Sequence, residues 1–441
     1  MCGIIISSID DIPQNYKFIK NRGPDNINKL KINNINFVHF LLHLTGDKTP
    51  QPLTSDDNNI VCIFNGEIYN YKEIYPQAKS DGYSIIEAYK KYGDNFISHL
   101  DGEFTIILFD YFANKFFICS DIFKTKPLFY NVSDEIVIAS YESICKEIKN
   151  QPYYSIKPNQ VLVFDLSSRQ LINTYSVHNF DLEQKKDNYD DFCNALENSI
   201  LKRYPEKTVP LISLSSGHDS GAIACCLNKF NKPLLAISIP KNEDLHIINE
   251  RKKKLGDLHI KLNLLDEDKI YWRNYLVNNC EPFSWDWSYH PKMRGYRPNG
   301  FDMGSMLGKC KIIKTAQQLN KDINILYSGI GADEVMAFNS FYSQGYGNVD
   351  YFPNDLNLVF PWANFFNGSM ENYLKGDEYV GGSFSYETRY PFCDKKLVQE
   401  FLWLLPALKN KYNGTSYKPA LTYYLQRENF PFHLQKFGFN V

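Results

Sequence analysis

The arrangement of apolar runs changes near residue 150, and this change constrains the fold more than any other feature of the sequence. Up to that point, strand-length apolar runs are separated by turns, and one helix is predicted at 84–92, with Asp81 near its start. Strands that dominate in this way indicate packed antiparallel sheets. The predicted strands are 37–42, 60–64, 104–109, 116–119, 127–130 and 136–139.

From residue 189 onwards, strands alternate with helices. A helical spacing of apolar residues runs through 190–204, and helix-sized segments separate the strands that follow. This alternation predicts a parallel sheet with crossover helices. The polar stretch 151–188 is predicted to be a linker, so that the two domains are 1–150 and 189–441. The predicted strands of the second domain are 209–214, 234–239, 258–264 and 323–327.

Composition and charge exclude several classes of protein. Apolar residues make up 44% of the 441 residues and charged residues 22%, which is an ordinary globular mixture. The 48 basic and 50 acidic side chains give no general attraction to nucleic acid or to an anionic membrane. No apolar run approaches the roughly 20 residues of a membrane span, and no signal peptide precedes the first strand. We therefore expect a cytoplasmic protein with free thiols and small-molecule partners, and the sequence leaves a homodimer open.

A turn rich in serine and glycine, 215–221, lies between a predicted strand and a predicted helix. Its unpaired backbone N–H groups and the helix N-terminus form an anion site, and Gly217 allows a ligand to approach closely. The hydroxyl donors of this phosphate loop are Ser215, Ser216 and Ser220. The loop lacks the Gly-Lys-Ser/Thr ending of a Walker P-loop and is a different phosphate binder. The alternative interpretation is a serine-rich helix N-cap around Asp219.

A second glycine-rich turn, 328–334, also follows a predicted strand and carries two carboxylates. Phosphates bind Mg²⁺, and Mg²⁺ prefers carboxylate oxygens together with retained waters. Asp219 and Asp333 are therefore the predicted metal-binding pair.

Motifs in both halves of the chain resemble those of one enzyme family. The first half is similar to the class II glutamine amidotransferase domain at 1–4 (Met-Cys-Gly-Ile), 22–25 (Arg-Gly-Pro-Asp), 65–70 (Asn-Gly-Glu-Ile-Tyr-Asn), 80–81 (Ser-Asp) and 126–130 (Lys-Pro-Leu-Phe-Tyr). The second half is similar to the synthetase domain of asparagine synthetase at 215–220, 328–334 and 386–394. The chain thus resembles the asparagine synthetase-like glutamine-dependent amidotransferases. The resemblance implies an N-terminal-nucleophile (Ntn) hydrolase fold, an αββα sandwich, followed by an adenine-nucleotide α-hydrolase-like fold of the pyrophosphatase-loop (PP-loop) type.

Taken alone, Cys2 is either a small buried hydrophobe or a reactive thiol. The resemblance implies that the initiator methionine is removed, so that Cys2 becomes both the N-terminus and the nucleophile. Its α-amine, which titrates at about 8, can then act as the base for the thiol. Asn65 and Gly66 would form the oxyanion hole, and Glu67 and Asp81 would hold the α-amino end of glutamine. The ammonia released would pass internally to the second domain.

The same resemblance implies that the second domain activates a carboxylate with ATP. The acceptor carboxylate attacks the α-phosphorus, and ammonia opens the resulting acyl-adenylate. Lys418 and Lys436 are candidates to neutralise negative charge in this step, the alternative being two solvated lysines, and Glu387 is a catalytic candidate within 386–394. The implied nucleotide-binding residues are Leu214, Ser215, Ser216, Gly217, Asp219, Ser220, Ile237, Ser328, Gly329 and Lys418.

The sequence departs from the family pattern at the sites for glutamine and for phosphate. Depending on the alignment, Leu41 or His43 stands where an arginine grips the α-carboxylate of glutamine, and neither offers a bidentate fork. Loss of such a contact costs about 2–4 kcal/mol of binding, so we expect weak glutaminase activity unless Arg22 or His43 compensates. In the phosphate loop, Ser216 and His218 replace a glycine and a leucine.

Further departures affect the acceptor. Ile330 stands where asparagine synthetases have glutamate and β-lactam-forming relatives have tyrosine. The segment that shapes the aspartate pocket is replaced by an aromatic and basic stretch, 285–300. That stretch is either an ordinary packed loop or an acceptor pocket in which Arg294 or Arg297 binds a carboxylate and aromatic faces hold a sugar or heteroaryl ring.

The sequence favours an ATP- and glutamine-dependent ligase that forms an amide. Aspartate is the default acceptor of the family, while Ile330 and the altered pocket favour another carboxylate, such as a sugar uronate or a specialised metabolite. A third interpretation is a non-catalytic homologue that acts as a binding partner. The presence of Cys2, Asn65 and Asp81 argues against it.

Overall fold

The computed structural model describes residues 1–241, 243–287, 295–337, 351–415 and 417–434. The chain divides into two compact units. The first comprises Met1–Asn179 together with the short segments Asn279–Glu281 and Gly382–Tyr386, and the second comprises the rest of the chain. In the described ranges, no helix is both long enough and apolar enough to cross a membrane.

Two six-stranded antiparallel sheets form the frame of the first unit. The first sheet contains β1 (Gly3–Ser7), β2 (Asn26–Ile32), β3 (Ile35–Leu41), β8 (Phe129–Val132), β9 (Ile136–Ala139) and β10 (Tyr154–Ser155). The second sheet contains β4 (Leu53–Thr54), β5 (Ile60–Ile68), β6 (Gly102–Asp110), β7 (Lys115–Ser120), β11 (Gln160–Asp165) and β12 (Leu171–Ser176). The strands are ordered β10-β8-β9-β1-β3-β2 in the first sheet and β12-β11-β7-β6-β5-β4 in the second.

The two sheets pack face to face, and their facing side chains form the core of the first unit. Alternate residues of the strands enter this core, among them Ile4 and Ile6 of β1, Ile63 of β5 and Ile107 of β6. Because side chains alternate across a strand, the continuation of these rows places Cys2 and Asn65 at the end of the same interface.

Helices cover the outer faces of the two sheets. The helices of this unit are α1 (Tyr71–Ile74), α2 (Tyr83–Tyr92) and α3 (Glu142–Ile148), with 3-10 helices at Ile19–Asn21 and Gly93–His99. Helix α2 packs on β5, and α3 packs on β8 and β9. This layering confirms the predicted αββα sandwich.

Most of the segment 151–188, predicted as a linker, is part of the first unit. Strands β10, β11 and β12 lie within it, and the division between the units falls at Asn179 and Phe180. Val161 and Val163 of β11 are buried where this strand pairs with β7. Strand β12 is the edge of its sheet, and its side chains are mainly exposed. It therefore lacks the apolar run that identifies the other strands.

The second unit is built on a five-stranded parallel sheet. Its strands are β13 (Leu211–Ser213), β14 (Leu235–Ser238), β15 (His259–Lys261), β16 (Ile325–Tyr327) and β17 (Glu387–Arg389). Their order is β15-β14-β13-β16-β17, and all pairings are parallel. The order reverses at β13, and ligands of open parallel sheets bind at the carboxyl ends of strands beside such a reversal. The predicted parallel sheet is confirmed, and the loops after β13 and β16 lie where a ligand is expected.

Helices connect and cover these strands. Helix α5 follows β13 and packs on it, and α8 precedes β16 and packs on β13 and β14. The helices of the described part of this unit are α4 (Asp190–Lys202), α5 (His218–Lys229), α6 (Leu245–Leu255), α7 (Asp266–Asn279), α8 (Gly304–Leu319), α9 (Ala332–Met336), α10 (Ala363–Phe366), α11 (Ser369–Ser383), α12 (Lys395–Trp403), α13 (Pro406–Asn410) and α14 (Pro419–Arg427), with 3-10 helices at Gly256–Leu258, Gly300–Asp302, Leu356–Leu358 and Pro391–Cys393.

Candidate functional site

Cys2 lies immediately before β1, and its side chain is buried. The backbone N–H of Cys2 donates a hydrogen bond of 2.8 Å to Oδ1 of Asn65 on β5 and so links the two sheets. The other end of the same amide, Nδ2 of Asn65, is buried and has no hydrogen-bond partner among the described residues. A buried donor without an acceptor is costly unless a ligand satisfies it. Nδ2 of Asn65 therefore leaves a donor open to a ligand close to Cys2, and its role in an oxyanion hole stays a prediction.

Gly66 follows Asn65 in a backbone conformation that requires glycine. Its φ is +132°, and a Cβ atom at this position would lie 1.8 Å from the carbonyl oxygen of Glu103 on β6. Only a residue without a Cβ atom allows β5 and β6 to approach so closely next to Asn65.

We expect Gly66→Ala to lower the free energy of unfolding by roughly 2 kcal/mol or more, because the new methyl group must displace the backbone of β6. Chemical denaturation measures this loss. Gly93→Ala is the matched control: the φ of Gly93 is also positive, +59°, but a Cβ atom there would meet nothing within 4 Å. Gly93→Ala should lose about 1–3 kcal/mol from backbone strain alone, because Gly93 adopts φ 59° and ψ −141°, and Gly66→Ala should lose more because it adds the clash with β6. Equal losses in the two variants would contradict a steric origin.

Arg22 supports the backbone of Cys2. Its guanidinium is fully buried, and Nε donates a hydrogen bond of 2.8 Å to the carbonyl oxygen of Cys2. Nη1 donates to the hydroxyl of Tyr141 over 3.1 Å, and the guanidinium carbon lies 5.1 Å from the centre of the same ring. The sequence names Arg22 as a partner for the glutamine carboxylate. In the structure its Nε holds the backbone carbonyl of Cys2, and a role in binding the glutamine carboxylate stays a prediction.

Glu67 and Asp81 are two buried carboxylates near the end of β5. Oε2 of Glu67 accepts a hydrogen bond of 2.8 Å from the hydroxyl of Thr45. Oδ2 of Asp81 accepts one of 3.0 Å from the backbone N–H of Ile68. A pair of carboxylates suits an ammonium group, and the joint role of Glu67 and Asp81 as ligands of the glutamine α-amino group stays a prediction.

Neither Leu41 nor His43, the two candidates for the position of the arginine that binds the α-carboxylate of glutamine, provides a bidentate cationic donor. Leu41 is buried at the end of β3. Nε2 of His43 lies 2.9 Å from the carbonyl oxygen of Gly46, and the backbone N–H of His43 donates a hydrogen bond of 2.8 Å to Asp25. The ring of His43 is thus engaged within its own loop. Weak binding of glutamine stays a prediction.

The phosphate loop in the second unit begins where β13 ends. The backbone N–H of Leu214 donates a hydrogen bond of 2.9 Å to the carbonyl oxygen of Ile237, at the end of β14. The hydroxyls of Ser215 and Ser220 are 2.9 Å apart, and the N–H of Gly217 donates to the Ser215 hydroxyl over 3.1 Å. These bonds fix the turn at the N-terminus of α5, whose first amides lack acceptors within the helix.

The two unusual residues of the phosphate loop have distinct surroundings. The hydroxyl of Ser216 donates a hydrogen bond to the carboxylate of Glu243. The buried ring of His218 packs edge-on against Tyr417, and its Nε2 lies 3.2 Å from the hydroxyl of Thr422. Burial lowers the pKa of His218 to about 3, so the ring is neutral at physiological pH. His218 therefore belongs to the packing behind the loop.

The turn after β16 lies directly against the phosphate loop. The backbone N–H of Ser328 donates a hydrogen bond of 3.0 Å to the carbonyl oxygen of Arg389 on β17. A Cβ atom on Gly329 would lie 2.8 Å from Cβ of Asp219, which explains the glycine at this position. The two loops that the sequence predicts to face one another are therefore in contact.

Lys418 lies between the two carboxylates predicted to bind metal. Its Nζ contacts Oδ1 of Asp219 and lies 2.9 Å from Oδ1 of Asp333, and the hydroxyl of Tyr417 donates a hydrogen bond of 3.2 Å to the same Asp333 oxygen. Burial opposes the charge of Lys418, but the two carboxylates outweigh it and raise its pKa. The predicted pair of carboxylates does come together, with a protonated lysine between them.

The carboxylates of Asp219 and Asp333 fit Mg²⁺ only as a site shared with a phosphate. Their side chains remain 23% and 30% exposed. Across the described ranges, no group of three or more His, Cys, Asp or Glu side chains converges as a metal site. Mg²⁺ is commonly held by one or two carboxylates together with substrate phosphates and waters, which is the arrangement these residues allow.

Other predicted site residues lie in different surroundings or outside the described part of the chain. Glu387 accepts a hydrogen bond of 2.7 Å from Nε of Arg389 and forms a buried ion pair within β17. Arg297 is largely exposed and forms an ion pair of 3.0 Å with Asp286. Arg294 and Lys436 lie outside the described residues.

Sequence reasoning missed two charged residues that contact the phosphate loop, Glu243 and Arg251. Arg251 carries a detectable signal: Ile247, Arg251 and Leu255 are spaced four residues apart in α6, and all three are buried. An arginine within an apolar helical stripe must have acceptors inside the protein. Glu243 lies in a polar connection and shows no comparable signal.

Comparisons with known proteins match both halves of the chain. Residues 1–178 match the glutamine amidotransferase domain family. The putative asparagine synthetase (glutamine-hydrolyzing) 1 of Methanocaldococcus jannaschii is 24% identical over 90% of this chain and 80% of its own length. Asparagine synthetase B of Escherichia coli is 23% identical over 94% of this chain and 77% of its own length. The resemblance predicted from the motifs is confirmed.

Among solved structures, a glutamine phosphoribosylpyrophosphate amidotransferase from B. subtilis aligns with 99% of this chain and 98% of its own, at 10% identity and a TM-score of 0.34. A TM-score this low does not establish a shared fold.

Proposed function

We propose that this chain, which carries a glutamine amidotransferase domain in residues 1–178, is an ATP- and glutamine-dependent ligase that amidates a carboxylate. The similarity to glutamine-hydrolysing asparagine synthetases over most of the chain supports this proposal. The observation that carries the proposal is the unpartnered Nδ2 of Asn65, held close to Cys2 by the hydrogen bond to its own Oδ1. Such a donor is needed where an acyl-transfer oxyanion forms.

In the proposed glutaminase reaction, removal of Met1 turns the backbone nitrogen of Cys2 into an α-amine, which takes the thiol proton. The thiolate attacks the side-chain amide carbon of glutamine, and Nδ2 of Asn65 donates to the oxyanion. Collapse of this intermediate releases ammonia and leaves a thioester, which water hydrolyses to glutamate. Arg22 keeps the Cys2 backbone in place through its carbonyl oxygen, while Glu67 and Asp81 hold the α-amino group of glutamine.

In the proposed synthetase reaction, the phosphate loop and the N-terminus of α5 bind the phosphates of ATP. Mg²⁺ bound by Asp219 and Asp333 would neutralise phosphate charge. The acceptor carboxylate attacks the α-phosphorus, pyrophosphate leaves, and an acyl-adenylate forms. Ammonia then attacks the acyl carbon and AMP leaves. Lys418, held by the two carboxylates, adds a fixed positive charge beside the phosphates.

Aspartate is the first candidate for the acceptor, and a different carboxylate is the second. The second candidate is favoured by Ile330, whose half-buried side chain has neither a charge nor a proton to transfer. The backbone N–H of Ile330 lies 3.4 Å from the Ser328 hydroxyl, so this residue follows directly on the predicted nucleotide-binding turn. An apolar residue there supports an acceptor with an apolar or ring-bearing group.

We expect pyrophosphate release from MgATP and ammonium only when the true acceptor is present. Release with aspartate, together with asparagine formation, would support asparagine synthesis. Release with a uronate or an aromatic acid and none with aspartate would support the second candidate. Because ammonium bypasses glutamine hydrolysis, absence of pyrophosphate release in this screen cannot be due to a defective glutaminase. Absence of both pyrophosphate and glutamate release would leave the non-catalytic interpretation.

A further inference from the structure

Arg251 of α6 is a buried arginine directly behind the phosphate loop. Its side chain is inaccessible to solvent, and its Nε donates a hydrogen bond of 2.9 Å to the carbonyl oxygen of Pro431. Nη1 donates to two carbonyl oxygens of the phosphate loop, those of Ser215 and, over 3.0 Å, Gly217. A single guanidinium therefore holds two peptide units of the loop.

These two contacts determine where the donors of the loop point. In a trans peptide, the carbonyl group of one residue and the N–H of the next point in opposite directions. Because the carbonyl groups of Ser215 and Gly217 face Arg251, the N–H groups of Ser216 and His218 face away from it. Arg251 thus turns two backbone donors towards the front of the loop, where an anion binds.

The carboxylate of Glu243 already occupies part of the side of the loop to which these N–H groups point. Oε2 of Glu243 accepts a hydrogen bond of 2.7 Å from the N–H of Ser216 and another from the Ser216 hydroxyl. The backbone N–H of Asp244 donates to the same hydroxyl over 3.2 Å, which holds the segment against the loop. A carboxylate oxygen on this loop amide accepts the same kind of charge-assisted hydrogen bond that a phosphate oxygen would accept.

The Glu243 carboxylate is poorly satisfied in this position. Its second oxygen, Oε1, is buried and accepts no hydrogen bond from the described residues. Burial raises the pKa of Glu243 more than the hydrogen bonds from Ser216 and the charge of Arg251 lower it. A phosphate group in the same place would instead have several oxygens to accept from the loop and from the first turn of α5.

Arg251 remains a cation although it is buried. Burial lowers its pKa to about 10, well above physiological pH. Its Nη2 has no hydrogen-bond partner among the described residues and lies against Gly221, where a Cβ atom would be 2.3 Å from it. The glycine at position 221 therefore makes room for the guanidinium, and the charge behind the loop is incompletely compensated.

We propose that Arg251 is a positioning residue of the ATP site, which holds the amide donors of the phosphate loop forward, and that Glu243 fills the anion position until a phosphate of ATP displaces it. The proposal rests on the proposed function, because it takes this loop as the ATP site. It predicts opposite effects for the two residues. Loss of Arg251 weakens the binding of ATP, and loss of the Glu243 charge strengthens it.

Calorimetric titration of the full-length protein with MgATP, pyrophosphate and AMP tests this proposal. We expect Arg251→Met to weaken MgATP and pyrophosphate binding at least tenfold and Glu243→Gln to strengthen both about threefold to tenfold. AMP affinity should change much less, because AMP has only the α-phosphate and lacks the β- and γ-phosphates. A merely structural role for Arg251 would lower all three affinities together. Glu250→Gln is the matched control, because Glu250 is a carboxylate at the neighbouring position of α6 that pairs with Lys253 instead of the loop.

Each outcome bears on the proposal. If Arg251→Met does not fold, Arg251→Lys is the second variant. It keeps the positive charge but lacks the planar guanidinium that binds the loop carbonyl groups, and it should still weaken MgATP binding. Unchanged MgATP affinity in a folded Arg251 variant, or unchanged or weaker affinity in Glu243→Gln, would overturn the proposal while leaving the proposed function intact. If neither the wild type nor Glu243→Gln binds MgATP, the proposed function fails at this domain, and the inference fails with it.

Discussion

Replacing Cys2 with alanine is expected to abolish the release of glutamate from glutamine, with a loss on the order of 10³-fold or more. In the proposed reaction the thiol forms the covalent intermediate, and neither Asn65 nor Arg22 can replace it as a nucleophile. The fold should be retained, because the contacts that hold residue 2 use its backbone N–H and carbonyl group. Coupled detection of glutamate measures the rate, and thermal unfolding checks the fold.

The matched control for this variant is Cys145→Ala, which also removes a buried thiol from the first unit. Burial raises the pKa of Cys145, so that its thiolate is inaccessible at physiological pH. This variant should hydrolyse glutamine at the wild-type rate. Wild-type glutamate release by a folded Cys2→Ala protein would exclude Cys2 as the nucleophile and remove the basis for the proposed glutaminase reaction.

The strands of the first unit could be predicted where their side chains are apolar and buried, as in β5 and β6. Edge positions escaped prediction, because the exposed side chains of β12 carry no periodic apolar signal. The predicted boundary at residue 150 lies before the observed one at Asn179 and Phe180. Of β11 and β12, only β12 lacks an apolar signal; the apolar run of β11 does indicate a strand within 151–188, which the linker prediction does not take into account. Only a strand with a buried face needs apolar side chains at regular positions, and tertiary packing decides which faces are buried.

In the second unit, the approach of Asp219 and Asp333 follows from topology, since both residues come after neighbouring parallel strands. The position of Lys418 between them could not be deduced in the same way. It follows no strand of the sheet and adopts a left-handed conformation (φ 46°, ψ 61°) immediately before α14. Family motifs nominate the residue, but only the folded chain brings its ammonium group to the two carboxylates. No motif nominates Arg251 or Glu243, and their contacts with backbone atoms of the phosphate loop become visible only in the folded chain.

Replacing Lys418 with asparagine is expected to reduce acceptor-dependent pyrophosphate release roughly 10²–10³-fold. Without the ammonium group, Asp219 and Asp333 face each other and the phosphates of ATP with no fixed cation between them. Asparagine is chosen because it tolerates the left-handed backbone conformation that Lys418 adopts, so that the variant removes charge without adding strain. Pyrophosphate is measured with ammonium as the nitrogen source, across a range of Mg²⁺ concentrations.

Lys411→Met controls for the loss of a lysine nearby in the sequence, because Lys411 is exposed and should leave pyrophosphate release unchanged. Glutamine hydrolysis by Lys418→Asn should persist, since the Cys2 site is built entirely from residues of the first unit. If Mg²⁺ can take over the role of the missing ammonium, higher Mg²⁺ should partly restore the rate, and this recovery would place the metal at the same two carboxylates. A folded Lys418→Asn protein with wild-type pyrophosphate release at every Mg²⁺ concentration would show that the charge of Lys418 does not assist adenylation.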